Sequence, residues 1–244
     1  YWKLWIRSSY SMIIYFRCTS KEETISGVDR WIDCPKDEIV LKCWMSLQLA
    51  AMPKKDRFIV LHDELNPGAL EFIKETQTCD TEFIEVEPHD FKDRGHTFKL
   101  LEVLKERLEQ DELNDIHYIV EDDYLHTQDS LEVCKEIIGS NLWEHFIIPY
   151  DYPDRYSLDT KPCGLMVGPR CHWRTNPSST YTLMAQAETW KRAMPIIEKY
   201  APHNFTEEAF QSYPCLSPVP GKASHLTQYH MTPLVDWRDL WNKL

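Results

Sequence analysis

Residues 116–120 form an apolar and aromatic segment that ends abruptly in three consecutive carboxylates, Glu121, Asp122 and Asp123. A short run of this kind, rich in β-branched side chains, is typical of a buried strand in a parallel sheet. Three adjacent anions repel one another, so a fold tolerates them most easily when positive charge lies among them. At the end of a buried strand, that charge is often a divalent cation that holds a phosphate.

Strand-like and helix-like segments alternate four times over the first 140 residues. The strand-like segments are residues 12–17, 58–61, 82–86 and 116–120, and the helix-like segments are residues 37–51, 68–76, 96–108 and 128–138. In the helix-like segments, apolar side chains recur at the spacing of an amphipathic helix. The alternation predicts an α/β fold with a mostly parallel sheet and helices on both of its faces.

Carboxylates follow two of the predicted strands at the point where each strand ends. Asp63 follows the second strand, and the three-acid cluster follows the fourth. Ligands of open α/β sheets bind beyond the carboxyl ends of the strands, so we expect a site there. The chain has seven glycines and contains neither a GxGxxG nor a Walker sequence, which argues against a dinucleotide or P-loop site.

The sequence changes in character after about residue 145. A short strand at residues 146–148 is followed by segments rich in polar, aromatic and proline residues, with little regular pattern, and then by helical segments near 185–199 and 206–213. Neither a repeat nor a disordered linker separates the two parts. We therefore interpret residues 1–244 as one domain with two functional halves, residues 12–140 and 141–244.

Composition limits the partners of this chain. A net charge of -12 argues against nucleic acid or an anionic membrane as the main partner. No segment approaches the roughly 20 apolar residues of a membrane span, so we predict no transmembrane segment. The eight cysteines include no CxxC pair, and a chain with this much core does not need disulfides. Free thiols and a cytoplasmic location are expected.

Five motifs occur in an order that resembles a group of GT-A-fold glycosyltransferases. In chain order they read Glu-Asp-Asp-Tyr at 121–124, Pro-Tyr-Asp-Tyr-Pro-Asp-Arg-Tyr at 149–156, Trp-Arg-Thr-Asn-Pro-Ser-Ser-Thr at 173–180, Pro-Val-Pro-Gly-Lys-Ala-Ser-His at 218–225 and Val-Asp-Trp at 235–237. The group includes bacterial enzymes and the capsid-glycosylating enzymes of large algal DNA viruses (chloroviruses). The resemblance covers roughly residues 12–238.

The resemblance implies transfer of a sugar from a UDP- or GDP-sugar to a hydroxyl of a glycan or glycoprotein, in the host cytoplasm if the protein is viral. The first half would bind the nucleotide sugar and the second half the acceptor. In such enzymes, a divalent cation, Mn²⁺ or Mg²⁺, is held by an acidic motif and often by a late histidine. Here Asp123 and His225 would be its ligands. The donor contacts carried over are Arg17, Thr19, Asp63, Arg94 and either Glu121 or Asp122.

An inverting transferase also needs a carboxylate base on the acceptor side. Asp151, Asp154, Glu207 and Glu208 are candidates, and the sequence leaves a retaining mechanism open. We favour Asp151 because it directly follows a strand and stands among aromatic residues, where loss of water would raise its pKa. Glu207 is second, since it opens a predicted helix after Thr206 and capping explains it nearly as well.

Two other functions fit parts of the sequence. A non-catalytic carbohydrate-binding protein would keep the aromatic loops, with rings such as that of Trp173 stacked on sugars, but would not need the acid cluster. Core packing is the alternative explanation for each of these tryptophans. A metal-dependent nucleotidyltransferase or phosphodiesterase would need more metal ligands in the first half than the sequence offers.

Overall fold

The computed structural model describes residues 10–21, 30–87, 95–110, 115–140, 142–157, 163–176, 181–201 and 213–244. Its helices are α1 (Lys36–Ala50), α2 (Pro67–Thr76), α3 (Gly95–Gln110), α4 (Ser130–Gly139), α5 (Ala187–Tyr200) and α6 (Trp237–Lys243). Its strands are β1 (Met12–Thr19), β2 (Asp56–Asp63), β3 (Asp80–Glu85), β4 (Ile116–Glu121), β5 (Tyr124–His126), β6 (Phe146–Ile147), β7 (Leu165–Val167), β8 (His172–Asn176), β9 (Leu183–Gln186), β10 (Cys215–Val219) and β11 (Ala223–His225).

Within the described residues, nine strands form one sheet in the order β3-β2-β1-β4-β9-β6-β10-β8-β7. The four strands β3, β2, β1 and β4 are all parallel. Strand β9 is antiparallel to β4 and β6, and β8 is antiparallel to β10 and β7. All strands except β8 and β9 therefore run in one direction. This confirms the prediction of an α/β fold with a mostly parallel sheet flanked by helices.

The core between α1 and the sheet is built on aromatic contacts. Trp44 of α1 is fully buried, and its ring lies 5.6 Å from that of Phe16 in β1 and 5.0 Å from that of Phe58 in β2. A Trp ring removes a large apolar area from water, and tilted ring pairs at these distances add to that stabilisation. This packing fixes α1 over the first two strands, and so fixes where the start of the helix meets the sheet.

The second half contains more regular structure than its sequence pattern indicates. Strands β7 and β8 and the start of β9 fall in or beside the stretch that we expected to be mainly irregular. They are short, and each is defined by pairing with distant segments, as β8 is with β10. The strand expected at 146–148 and the helix expected near 185–199 are present as β6 and α5. The helix expected near 206–213 falls almost entirely on residues outside the described ranges.

Trp173 is a core residue, so the idea that its ring stacks on a sugar is wrong. Its exposed fraction is 0%. Within the described ranges, no helix is long and apolar enough to cross a membrane. All eight cysteines are described, and all are free thiols.

Candidate active site

The predicted site residues of the first half converge at the carboxyl edge of the parallel strands. In the β1–β4 ladder, Arg17 is paired with Glu121, and in the β1–β2 ladder, Thr19 is paired with Asp63. Parallel strands bring these positions side by side without any loop rearrangement. Arg94, the remaining predicted donor contact, lies outside the described residues.

Glu121 ends β4 and faces the guanidinium of Arg17 at 3.6 Å. Burial raises the pKa of Glu121, whereas the charge of Arg17 opposes that shift. The Arg17 guanidinium also lies 5.0 Å above the ring of Tyr181. Its Nε and Nη1 atoms are buried without a hydrogen-bond partner among the described residues. This cation therefore has donors left over for a ligand in the cleft.

Asp122 is buried, and the chain itself uses both of its oxygens. Lys36 Nζ, from the first residue of α1, lies 2.6 Å from Oδ1, and the backbone N–H of Thr19 donates to Oδ2 at 2.9 Å. Burial lowers the pKa of Lys36, but the charges of Asp122 and Asp123 outweigh it, so the pKa is raised overall. Asp122 thus fastens the turn after β4 to the ends of β1 and α1.

Asp123 has one oxygen paired and one oxygen unused. Its Oδ2 lies 2.8 Å from Nε2 of His225. Its Oδ1 is buried and has no hydrogen-bond partner among the described residues. Burial raises the pKa of Asp123, but the interaction with His225 lowers it further, and the same contact raises the pKa of His225 against its own burial.

The strand pair β5–β11 positions His225. Tyr124 and His225 are paired in this antiparallel ladder, and their rings stack with centroids 4.9 Å apart at an interplanar angle of 10°. On its other face, the His225 ring stacks on His230 at 5.5 Å. The two stacking partners hold the imidazole with Nε2 directed at Asp123. The pair joins residues 102 positions apart in the sequence.

Asp123 and His225 have the chemistry to hold a divalent cation together with a ligand. A carboxylate oxygen that is buried and unpaired, beside an imidazole nitrogen, offers two donors that Mn²⁺ accepts. No group of three or more His, Cys, Asp or Glu side chains among the described residues is arranged to bind a metal ion. Two protein ligands suffice for a cation of this kind only when substrate phosphates and water complete its shell.

Each of the three acids has a cationic or ionisable partner from the chain itself: Arg17 for Glu121, Lys36 for Asp122 and His225 for Asp123. The repulsion among the acids therefore does not by itself require a metal ion. Sequence reasoning missed Lys36, because a lysine at the start of a helix, 86 positions before its partner, gives no local signal.

The other predicted donor residues lie beside this cluster. Lys21 Nζ is 3.9 Å from Asp63 and 2.5 Å from Glu64, and the Thr19 hydroxyl accepts a hydrogen bond from the Lys21 backbone N–H. Thr19, Lys21 and Asp63 thus form a polar rim next to Asp122. Their position matches the expectation that the ends of β1 and β2 face a nucleotide.

The two predicted bases differ in what can be seen of them. Asp151 follows β6 and is fully buried, with Oδ2 accepting a hydrogen bond of 2.5 Å from the Tyr156 hydroxyl. Burial raises its pKa, which its contacts with Tyr156 and Arg174 oppose. Its neighbour Tyr150 packs against Tyr124, so Asp151 lies close to the acid cluster. Glu207 lies outside the described residues.

Comparison with solved structures identifies the fold. S. aureus TarS matches with a TM-score of 0.51 at 12% identity, over 85% of this chain and 35% of the TarS chain. The galactosyltransferase LgtC, solved with donor and acceptor sugar analogues, matches with a TM-score of 0.45 at 14% identity, over 81% of this chain and 72% of that chain. The chain thus spans about a third of the length of TarS. No family profile and no curated protein matches the sequence. The fold is GT-A-like.

Proposed function

We propose that this protein is a metal-dependent glycosyltransferase that moves a sugar from a nucleoside diphosphate sugar to an acceptor hydroxyl. The observation that carries the proposal is the Asp123–His225 pair, with one buried carboxylate oxygen left unpaired at the carboxyl edge of a GT-A-like sheet. Arg17 and the rim of Thr19 and Asp63 would hold the nucleotide part of the donor. A UDP- or GDP-sugar is the expected donor, a glycan or glycoprotein the expected acceptor, and the cytoplasm the expected location.

Asp123 and His225 would hold Mn²⁺ or Mg²⁺, which would neutralise the charge that develops on the leaving diphosphate. Lys36 adds a fixed positive charge next to them, and Asp122 keeps the turn in place. Asp151 would take the proton from the acceptor hydroxyl, which is the role required in an inverting reaction. A carboxyl whose pKa is raised by burial is a better base near neutral pH than an exposed one.

The test of this function is metal-dependent binding of UDP and GDP, measured by calorimetry with and without Mn²⁺. Asp123→Asn should lose the metal-dependent part of the affinity, because an amide oxygen is a much weaker ligand than a carboxylate. Asp80→Asn is the control, since Asp80 is an exposed carboxylate at the start of β3, at the opposite edge of the sheet. Undiminished affinity in Asp123→Asn would reject Asp123 as a ligand.

Product analysis separates the proposed function from its rivals. A glycosyltransferase supplied with a nucleotide sugar releases a nucleoside diphosphate, whereas a nucleotidyltransferase supplied with a nucleoside triphosphate releases pyrophosphate. A non-catalytic carbohydrate-binding protein would bind glycans and release neither. The anomeric configuration of the product, read by NMR, decides between inversion and retention.

A further inference from the structure

Asp151 and Arg174 present two buried polar atoms to each other across a gap. Asp151 Oδ1 and Arg174 Nη1 are 3.7 Å apart, which is too long for a hydrogen bond. Neither atom has a hydrogen-bond partner among the described residues. Both side chains are at least nine-tenths buried, with exposed fractions of 0% and 10%. Leaving a buried donor and a buried acceptor unmatched is costly, so a ligand that satisfies both would be favoured.

The chemistry of the gap selects a neutral hydroxyl. A hydroxyl can donate its proton to Asp151 Oδ1 and accept a hydrogen bond from Arg174 Nη1 at the same time. A phosphate or carboxylate would be repelled by Asp151, and an ammonium group would be repelled by Arg174. Water has the same hydrogen-bonding capacity as an alcohol. The candidates are therefore a carbohydrate hydroxyl and a water molecule.

Tyr156 already places a hydroxyl on this carboxylate. Its phenol donates to Asp151 Oδ2 at 2.5 Å, and its ring lies 4.6 Å from the Arg174 guanidinium carbon. It therefore presents a hydroxyl to Asp151 and a ring face to Arg174, which are the contacts that a sugar also makes in proteins. Tyr156 belongs to a single 3-10 turn, Pro153–Tyr156, none of whose residues is buried.

Access to Asp151 leads past Tyr156. The Asp151 backbone is closed off by Thr232, whose hydroxyl donates to the Asp151 carbonyl at 3.2 Å, and by Gly221. A Cβ at Gly221 would lie 3.0 Å from the Asp151 nitrogen and 2.5 Å from a Thr232 methyl group, so that side is tightly packed. Arg174 is buried, whereas Tyr156 exposes 39% of its surface. Of these neighbours, Tyr156 is the one that can move into solvent.

We propose that Asp151 and Arg174 form a binding subsite for a hydroxyl of the acceptor sugar, and that Tyr156 fills this subsite until the acceptor displaces it. The assignment of the sugar as an acceptor rests on the function proposed above. The subsite lies near the acid cluster, since Tyr150, next to Asp151, packs its ring 5.5 Å from that of Tyr124, the stacking partner of His225.

The test measures binding of a panel of methyl glycosides of common hexoses to the full chain by ligand-observed NMR, with no donor present. Tyr156→Phe keeps the ring and removes the competing hydroxyl, so it should bind a glycoside roughly tenfold more tightly than the unchanged protein. Arg174→Met should bind it more weakly. Tyr213→Phe is the matched control, because it removes a phenol that donates to the Arg192 carbonyl, away from Asp151.

Equal or weaker binding by Tyr156→Phe would overturn the proposal. Absence of glycoside binding in both proteins would also overturn it, because the gap would then hold only water. If Arg174→Met fails to fold, Tyr156→Phe alone decides. The experiment uses no donor and no metal, so its result is independent of metal-dependent UDP binding. Failure of the subsite and failure of the transferase assignment can therefore be told apart.

Discussion

Two buried lysine–aspartate pairs lie at opposite edges of the parallel sheet. At the amino edge, Lys135 of α4 contacts Asp56 at the start of β2, and both side chains are almost completely inaccessible. At the carboxyl edge, Lys36 of α1 contacts Asp122 after β4, and both side chains are nearly as well buried. The two pairs have the same chemistry, but their surroundings give them different roles.

The pair at the amino edge is complete. Asp56 also accepts hydrogen bonds from the backbone N–H groups of Met12 and Met52. Burial lowers the pKa of Lys135, and the attraction of Asp56 opposes this shift without reversing it. At the carboxyl edge, a second carboxylate, Asp123, adjoins the pair, and the pKa of Lys36 is raised instead. A surplus of negative charge and an unpaired oxygen distinguish a candidate binding site from a structural ion pair.

Replacing Lys135 should have the largest effect on stability. Lys135→Met leaves Asp56 as a buried anion without its partner, and breaking such a pair costs about 3–5 kcal/mol. Urea denaturation at pH 7 measures the free energy of unfolding, and the fraction that remains folded should bind UDP and Mn²⁺ normally. Lys105→Met is the control, since Lys105 pairs with Glu198 on the surface and its loss should change little. A small loss in Lys135→Met would contradict a structural role.

Acid should weaken the fold at both edges through two buried histidines. Burial lowers the pKa of His117, near the start of β4, to about 4, and that of His126, at the end of β5, to about 3. Both values lie below the unfolded value of about 6.5, so the unfolded chain binds more protons below that pH. Stability is therefore full above pH 6.5 and falls as the pH drops towards the folded values.

Between pH 7 and pH 5, each histidine should account for a loss of about 2 kcal/mol in the free energy of unfolding. His126→Gln should flatten this dependence by one proton, whatever its effect at pH 7, where His126 bonds to the Tyr118 hydroxyl and the Tyr124 carbonyl. Denaturation curves at several pH values measure the slope. An unchanged slope would show that His126 already carries its proton in the folded protein.

Replacing Lys36 should weaken ligand binding more than its charge alone suggests. Lys36→Met frees Asp122 and loosens the turn that aims Asp123, so Mn²⁺-dependent UDP affinity should fall about 10–100-fold, as it does when residues that support metal ligands are lost. Lys42→Met is the control on the same helix, since Lys42 contacts the carbonyl and ring of Trp241 instead. If binding becomes tighter, Lys36 acts only by its charge, and the distinction between the two pairs is lost.

The sequence was sufficient for the first half of the fold and for less of the site. Periodic apolar residues gave the strands and helices up to α4, because each of these elements buries one face over many residues. Strands such as β7 and β11 are three residues long and owe their existence to distant pairing, which no local pattern encodes. The same applies to Lys36 and Tyr156, whose importance depends on contacts with Asp122 and Asp151. His225 emerged only through the resemblance to known enzymes.

The smallest expected effect concerns a third buried pair, Arg174–Asp151, which shares with the Asp123 site an unpaired carboxylate oxygen. The positive charge of Arg174 lowers the pKa of Asp151 against its burial, so Arg174→Met should raise that pKa further. A general base works when it is deprotonated, so the transfer rate rises with pH through its pKa. The acid limb of the pH–rate profile should therefore move to higher pH in Arg174→Met and stay in place in Lys36→Met. If the limb does not move, Asp151 is not the base, and Glu207→Gln becomes the next variant to measure.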